Sequence, residues 1–476
     1  MARRLALALA ALLGAAAPAG ACASDAPAPA APSSPASAGS PRALAPEASA
    51  PAPPAAAPRR ARALWVLAEG SQRVLERRER LDVLLADARA LGATDLFVQV
   101  YRGGRAWFDS SLADPAPWRA TWRERDASGQ ELDALATLVA RAHAAGLRVH
   151  AWVNVLSLAS NPDAPIVRDL GPDAVLVDQW GRSLLDYPGF DVPPPDSKHV
   201  RLGTPGVFLD PAAPGVADRV AATFEELVRR YPALDGLHLD YIRYPDTLPF
   251  APGTRFGVGL SFGYGAPTRA RFRAETGLEA PFGDSVANAT RFDAWRRDRL
   301  TALVARIRER ALAARPGLVL SAAVFHDDER AYLTVFQDWR GWLEAGLLDL
   351  AVPMLYSTDD RLLRYRVVEL AGLPEAPRIW VGLGTWLFGA DPARAVAQAR
   401  LVESTGALGV SLFSWDALRE KDALREALAA SSDTARPASS GAEGSTSPEA
   451  ARPAGLGDGA APSAPAAPPA APPAAP

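Results

Sequence analysis

The feature that most constrains this chain is an alternation. Short runs rich in β-forming residues are followed, again and again, by amphipathic stretches, most of which close on a glycine. The runs are RALWVLAE (62–69), TDLFVQVY (94–101), LRVHAWVNV (147–155), LDGLHLDYIRYP (234–245), LVLSAAVF (318–325), LDLAVPMLY (348–356), IWVGLGTW (379–386) and GVSLFSWD (409–416). The intervening stretches include RLDVLLADARALG (80–92), ELDALATLVARAHAAG (131–146), PGVADRVAATFEELVRRY (214–231), a helical pattern at about 290–314, and DPARAVAQARLVESTG (391–406). Apolar spacing of three and four marks helices, and glycine after the last turn is a common stop. Parallel strands need crossover helices, so eight such units in a row predict a (β/α)₈ barrel. An open doubly wound sheet is the alternative, but no Gly-rich phosphate turn follows any of these strands.

Composition changes sharply outside 62–430. Residues 1–22, MARRLALALAALLGAAAPAGAC, pair two arginines with a short apolar run and small residues, the pattern of a secretory signal peptide. It is too short and too rich in alanine for a confident membrane span. Cys22, the one cysteine of the chain, sits where cleavage is expected, in a context similar to a bacterial lipobox with Ala19 in place of the usual leucine. The expectation is a lipid anchor on Cys22 and an exported cell-envelope protein; an ordinary signal peptide cut nearby is the alternative. Residues 23–61 and 431–476 are dominated by Ala, Pro and Ser, which cannot bury a core and predict disordered tethers.

Charge removes further classes. With a net charge of −3 over 476 residues, neither nucleic acid nor an anionic membrane surface is implied as a partner. Lys198 and Lys421 are the only lysines, and neither lies in a strand-like run. A Schiff-base mechanism or a P-loop therefore lacks its lysine.

In a barrel of this kind the chemistry gathers at the C-terminal ends of the strands. Those ends carry Glu69; Gln99, Tyr101 and Arg102; Trp152 and Asn154; His238, Asp240 and Arg243; His326, Asp327 and Asp328; Tyr356; Thr385 and Trp386; and Trp415 and Asp416. His238 and Asp240 are two apart and share a face. An ion pair of Asp240 with Arg102 or Arg243 is the structural alternative to a catalytic role.

At these residues the chain resembles the glycosyl-hydrolase-like family ten, secreted bacterial barrels that act on polysaccharide. LFVQVYRGGRAWF, VHAWVNV, FLDPAAPGVADRV, DGLHLDYIRYP and LDLAVPMLY are similar to that family's segments, in the same order. The resemblance covers 62–430. Two departures bear on substrate subsites: no proline follows Asn154 in AWVNVLSLAS, and the loop at 156–205 is long. The resemblance implies a glycoside hydrolase with polysaccharide substrate, peptidoglycan glycan strands placed first. A polysaccharide-binding barrel without activity and a metal-dependent carbohydrate deacetylase are the alternatives.

Glycoside hydrolysis usually needs two carboxyl groups. Asp240 is assigned the nucleophilic or charge-stabilising role, kept ionised by Arg243 or His238. Glu69 and Asp327 are the candidate acids, Glu69 because an apolar strand end would raise its pKa. Asp416 is able to take either role or bind a hydroxyl. Gln99, Tyr101, Arg102, Asn154, His238, Arg243 and Tyr356 are assigned to substrate binding, with Trp152 and Trp386 as sugar platforms and Trp107 and Trp415 as further aromatics near the rim. His150, His238 and His326 lie on neighbouring strands, but His150 is too deep for a shared metal, so no cofactor is assigned.

Overall fold

The computed structural model describes residues 61–249 and 260–433. Residues 1–60, with the expected signal peptide, Cys22 and tether, and residues 434–476, the expected tail, lie outside the described residues. Eight parallel strands form the centre: β1 Arg62–Val66, β2 Asp95–Arg102, β3 Arg148–Asn154, β4 Gly236–Asp240, β5 Val319–Phe325, β6 Leu350–Met354, β7 Trp380–Gly384 and β8 Gly409–Phe413. Each pairs with the next, and β8 pairs with β1, so the sheet closes. The helices that follow the strands in turn are α1 Glu79–Ala90, α2 Ala134–Ala144, α3 Val216–Arg230, α4 Val286–Ala314, α5 Trp339–Glu344, α6 Asp360–Ala371, α7 Pro392–Ser404 and α8 Asp422–Asp433. This is the (β/α)₈ barrel that the alternation predicts.

Local details depart from the expected boundaries. Residues Glu131–Asp133 are not the first turn of α2; they pair antiparallel with Arg123–Arg125. The helix starts where Asp133 accepts a hydrogen bond from the Ala136 amide at 2.9 Å, an N-cap that satisfies an otherwise orphan donor. At the other end of the chain, Ser414 caps a short helix, Trp415–Arg419, so Trp415 and Asp416 do not end a strand.

The barrel interior is packed with large rings. Trp65, Phe97, Trp152 and Trp380 fill it together with Ala323 and Val352. Deep in it, His150 and Gly236 are partners across β3 and β4, and a Cβ at Gly236 would lie 2.1 Å from His150 Nδ1. The glycine of LDGLHLDY is thus required by close approach of a buried ring.

A β-bulge interrupts β2. Gln99 is paired with Trp152, but Tyr101, not Val100, is paired with Val153. The extra residue reverses the alternation of faces. Phe97 points into the barrel, whereas Val100 and Tyr101 join the layer between strands and helices.

Candidate active site

A cavity of about 350 Å³ opens above the ring-filled interior, at the C-terminal ends of the strands. Its chemistry comes from β2, β3, β4 and β6. In register, Gln99, Trp152, His238 and Ser321 stand side by side around the barrel. One step above, Asn154 stands beside Asp240.

Asp240 is the centre of this arrangement. It is 7% exposed. Its Oδ2 accepts a hydrogen bond from Trp152 Nε1 at 3.1 Å, and its Oδ1 accepts one from the Tyr241 amide at 2.7 Å. Among the described residues it makes no ion pair with Arg243 or Arg102. Burial pushes its pKa up to about 6, against the opposing pull of the Arg243 charge and the two hydrogen bonds. The expected low pKa is therefore corrected: desolvation outweighs the cation. A carboxyl poised near 6 is suited to giving and taking protons near neutral pH.

The guanidinium of Arg243 is held between two rings, 4.9 Å from that of Tyr241 and 4.8 Å from that of Phe325. Tyr241, directly after the strand, has a φ of 52°, unusual for a bulky side chain. That left-handed turn accompanies a ring that lines the cavity, where simple alternation would send it outward. Tyr241 and the cavity-lining Phe413 were not singled out from the sequence. Their only sequence signal is position, next to the strand-4 aspartate and at the end of the strand-8 run.

Gln99, Arg102, Trp152, Asn154, Arg243 and Tyr356 all line the cavity, as assigned. Gln99 Nε2 donates to Asn154 Oδ1 at 3.2 Å, which orients both amides. Tyr356 presents a buried hydroxyl with no hydrogen-bond partner among the described residues. Burial, then the nearby Asp240 and Tyr241, hold its pKa well above the ordinary phenol value, so it remains a donor. Trp386 is 43% exposed and packs edge-on against Tyr356, with ring centroids 4.8 Å apart, which places it at the mouth.

Other assigned residues are elsewhere or otherwise engaged. Tyr101 faces the helices: its ring meets Phe224 of α3 at 5.4 Å, and burial pushes its pKa up to about 12. The bulge in β2 is the reason. His238 lies one layer below the cavity. Trp65 Nε1 donates to its Nε2 at 3.1 Å, so the proton sits on Nδ1, which donates to Ser321 Oγ at 2.9 Å. Stacking on Phe97 at 4.0 Å completes its burial, which drives its pKa far down and leaves it neutral. It cannot supply the positive charge once assigned to it.

Glu69 lines the cavity, but not as a free acid in an apolar setting. One oxygen is bonded by Arg102 and the other by Arg105, the latter at 2.6 Å. Asp327 is not among the cavity-lining residues. It caps the short helix Asp328–Thr334 and pairs with Arg366 of α6 at 2.9 Å. Asp416 is a latch: it accepts the amides of Gln72 at 2.9 Å and Leu67 at 3.3 Å, holding the β1–α1 loop. Gly70 makes room for it, since a Cβ there would lie 2.1 Å from Asp416 Oδ1. Of the other tryptophans, Trp107 and Trp415 are buried and donate to Glu76 and Asp87, on the helix side. His150 is bonded to Asp95 at 2.9 Å near the bottom of the barrel.

The chain is similar to "Glycosyl hydrolase DigH" of Escherichia coli (strain K12), 25% identical over 323 residues, a match covering 64% of each chain. It is also similar to "Glycosyl hydrolase YngK" of Bacillus subtilis (strain 168), 23% identical over 329 residues, 63% of this chain and 54% of that one. The chain thus spans less than two thirds of the length of these curated relatives. Among solved structures, the glycoside hydrolase domain of PgaB (BpsB) from Bordetella bronchiseptica superimposes with a TM-score of 0.55 at 15% identity, covering 77% of this chain and 98% of that one. The catalytic domain of β-amylase from Paenibacillus polymyxa superimposes with a TM-score of 0.50 at 13% identity, covering 80% of this chain and 100% of that one. At such identities these structures establish the barrel fold alone. Residues 60–367 match the family described as Glycosyl hydrolase-like 10, and the chain belongs to that family.

Proposed function

We propose that the protein is a glycoside hydrolase that cleaves polysaccharide, with the glycan strands of cell-wall peptidoglycan as substrate and Asp240 as the proton-transfer group. The observation that carries this reading is Asp240 itself: a carboxyl in a cavity, held by Trp152 and Tyr241, with a pKa brought to about 6 by burial. The surroundings suit a sugar. Neutral amides from Gln99 and Asn154 match hydroxyls, and Trp152, Tyr241, Tyr356 and Phe413 offer flat apolar faces. The place of action follows from the N-terminus: a lipidated Cys22 followed by an Ala/Pro tether would hold the barrel at a cell-envelope membrane.

The test is incubation of the protein with purified peptidoglycan, with and without stem peptides, and identification of products by mass spectrometry. Glycan fragments from the wild type and none from Asp240→Asn support the reading. Binding without cleavage by both proteins would replace it with a polysaccharide-binding barrel.

A further inference from the structure

A two-carboxylate mechanism needs a second carboxyl group at the scissile bond. Among the described residues, the carboxylates that line the cavity are Asp240 and Glu69. Both Glu69 oxygens are occupied by Arg102 and Arg105. Asp416 is committed to the backbone of the β1–α1 loop, and Asp327 to Arg366 and a helix start. Among the described residues one carboxyl group is therefore in position, and no second one stands ready as nucleophile or base. The cavity holds instead a donor with no hydrogen-bond partner among the described residues, the buried hydroxyl of Tyr356. Such a donor is costly unless a ligand acceptor meets it.

We infer that the missing nucleophile belongs to the substrate: the site takes a 2-acetamido sugar, whose carbonyl oxygen attacks the anomeric carbon while Tyr356 holds that oxygen by a hydrogen bond. The inference rests on the glycosidase reading above. In the first step the acetamido oxygen forms a bond to C1. The C1–O glycosidic bond breaks, its electron pair stays on the leaving oxygen, and that oxygen takes the proton of Asp240. The sugar is left as a bicyclic oxazolinium ion. In the second step water attacks C1 and gives a proton to the Asp240 carboxylate. The C1–O bond of the bicycle breaks, and its electrons return to the acetamido group. Two displacements at C1 retain its configuration, and Asp240 ends protonated as it began.

The arrangement explains features that a second carboxylate would not. A buried phenol kept protonated by its surroundings suits a neutral carbonyl acceptor. The cavity, about 350 Å³, is of a size for one sugar ring and its acetamido arm. Trp386, packed on Tyr356, fixes the ring that carries the hydroxyl.

The experiment compares glycan strands of matched length, N-acetylated or chemically de-N-acetylated, as substrates for the wild type and Tyr356→Phe, with product anomers followed by NMR. The N-acetylated strands should be cleaved with retention and the de-N-acetylated ones at least about 10³-fold more slowly. Tyr356→Phe should slow the first reaction by about 10²-fold, with its alkaline pH limb unmoved. Equal cleavage of both polymers, or an inverted product, would overturn the inference while leaving a glycosidase. Cleavage of neither polymer by the folded wild type would overturn the glycosidase reading and the inference with it.

Discussion

Trp152 of β3 donates its indole N–H to the carboxylate of Asp240 on β4 at 3.1 Å. The two residues are not paired in register; Trp152 is paired with His238, and Asp240 with Asn154. The indole therefore reaches diagonally upward, and its ring forms cavity wall while its nitrogen holds the carboxylate. One side chain thus shapes the cavity and biases the protonation of the group proposed to act on the substrate.

That bond favours the ionised form of Asp240, so removing it should raise the pKa. In Trp152→Phe the wall keeps an aromatic face and loses only the donor. If protonated Asp240 is the acid, the alkaline limb of the pH–rate profile should move to higher pH. Measuring kcat against pH for the two proteins checks this. A limb that moves to lower pH, or stays in place, would remove Trp152 from the control of Asp240.

Asp327 makes the opposite prediction. It caps a helix and pairs with Arg366, and it is not part of the cavity wall. Asp327→Ala should lower stability by about 2 kcal/mol, through loss of the cap and of a largely buried ion pair. Turnover per folded molecule should stay within about twofold of wild type, and the alkaline limb should not move. Thermal unfolding and a pH–rate profile on one preparation separate the two effects.

The frame of this site was legible in the sequence because it depends on period. Alternation of strand and helix defines the barrel, and the C-terminal rim defines where Gln99, Arg102, Trp152, Asn154, Asp240 and Tyr356 meet. What was not legible depends on single-residue irregularities. The bulge between Gln99 and Tyr101 turns Tyr101 away from the rim. The left-handed Tyr241 brings a ring into the cavity from a position that strand parity assigns outside. Charge pairing was equally hidden: nothing local to Glu69 announces that Arg102 and Arg105 close on it.

The bulge can be tested through the residue it displaces. Tyr101→Phe should leave turnover and KM unchanged, because the hydroxyl faces the helix layer near Arg219 and not the substrate. A KM raised for glycan would return Tyr101 to the binding surface.

The N-terminal reading makes a separate prediction. If Cys22 is lipidated as proposed, wild-type protein made with residues 1–22 should partition with membranes, since such an anchor is firm where a single acyl chain is not. Cys22→Ser should be found in the soluble fraction with an active barrel. Full membrane partitioning of that variant would exclude lipidation as the anchor.

The last prediction concerns Asp240 and has two parts. Asp240→Asn keeps size and one acceptor but removes the ionisable proton. Glycan cleavage should fall on the order of 10³-fold or more, the scale of losing one well-placed catalytic group. Stability gives the independent check. The folded-state pKa is raised from 3.8 to about 6, so between these values the folded protein binds more protons than the unfolded chain. Stability in the wild type therefore falls as pH rises through that window, and above it the buried charge costs up to about 3 kcal/mol. Asparagine has no such dependence. The substitution leaves either the Trp152 or the Tyr241 donor less well matched, an effect that is constant with pH. The melting temperature of Asp240→Asn relative to wild type should therefore climb between pH 4 and pH 7 and then level off. A difference that is flat over that range would mean that Asp240 is not held at a raised pKa. A difference that declines with rising pH below about pH 4 would mean that it is held low, as a charge-stabilising anion, and Asp240 would not be the proton-transfer group.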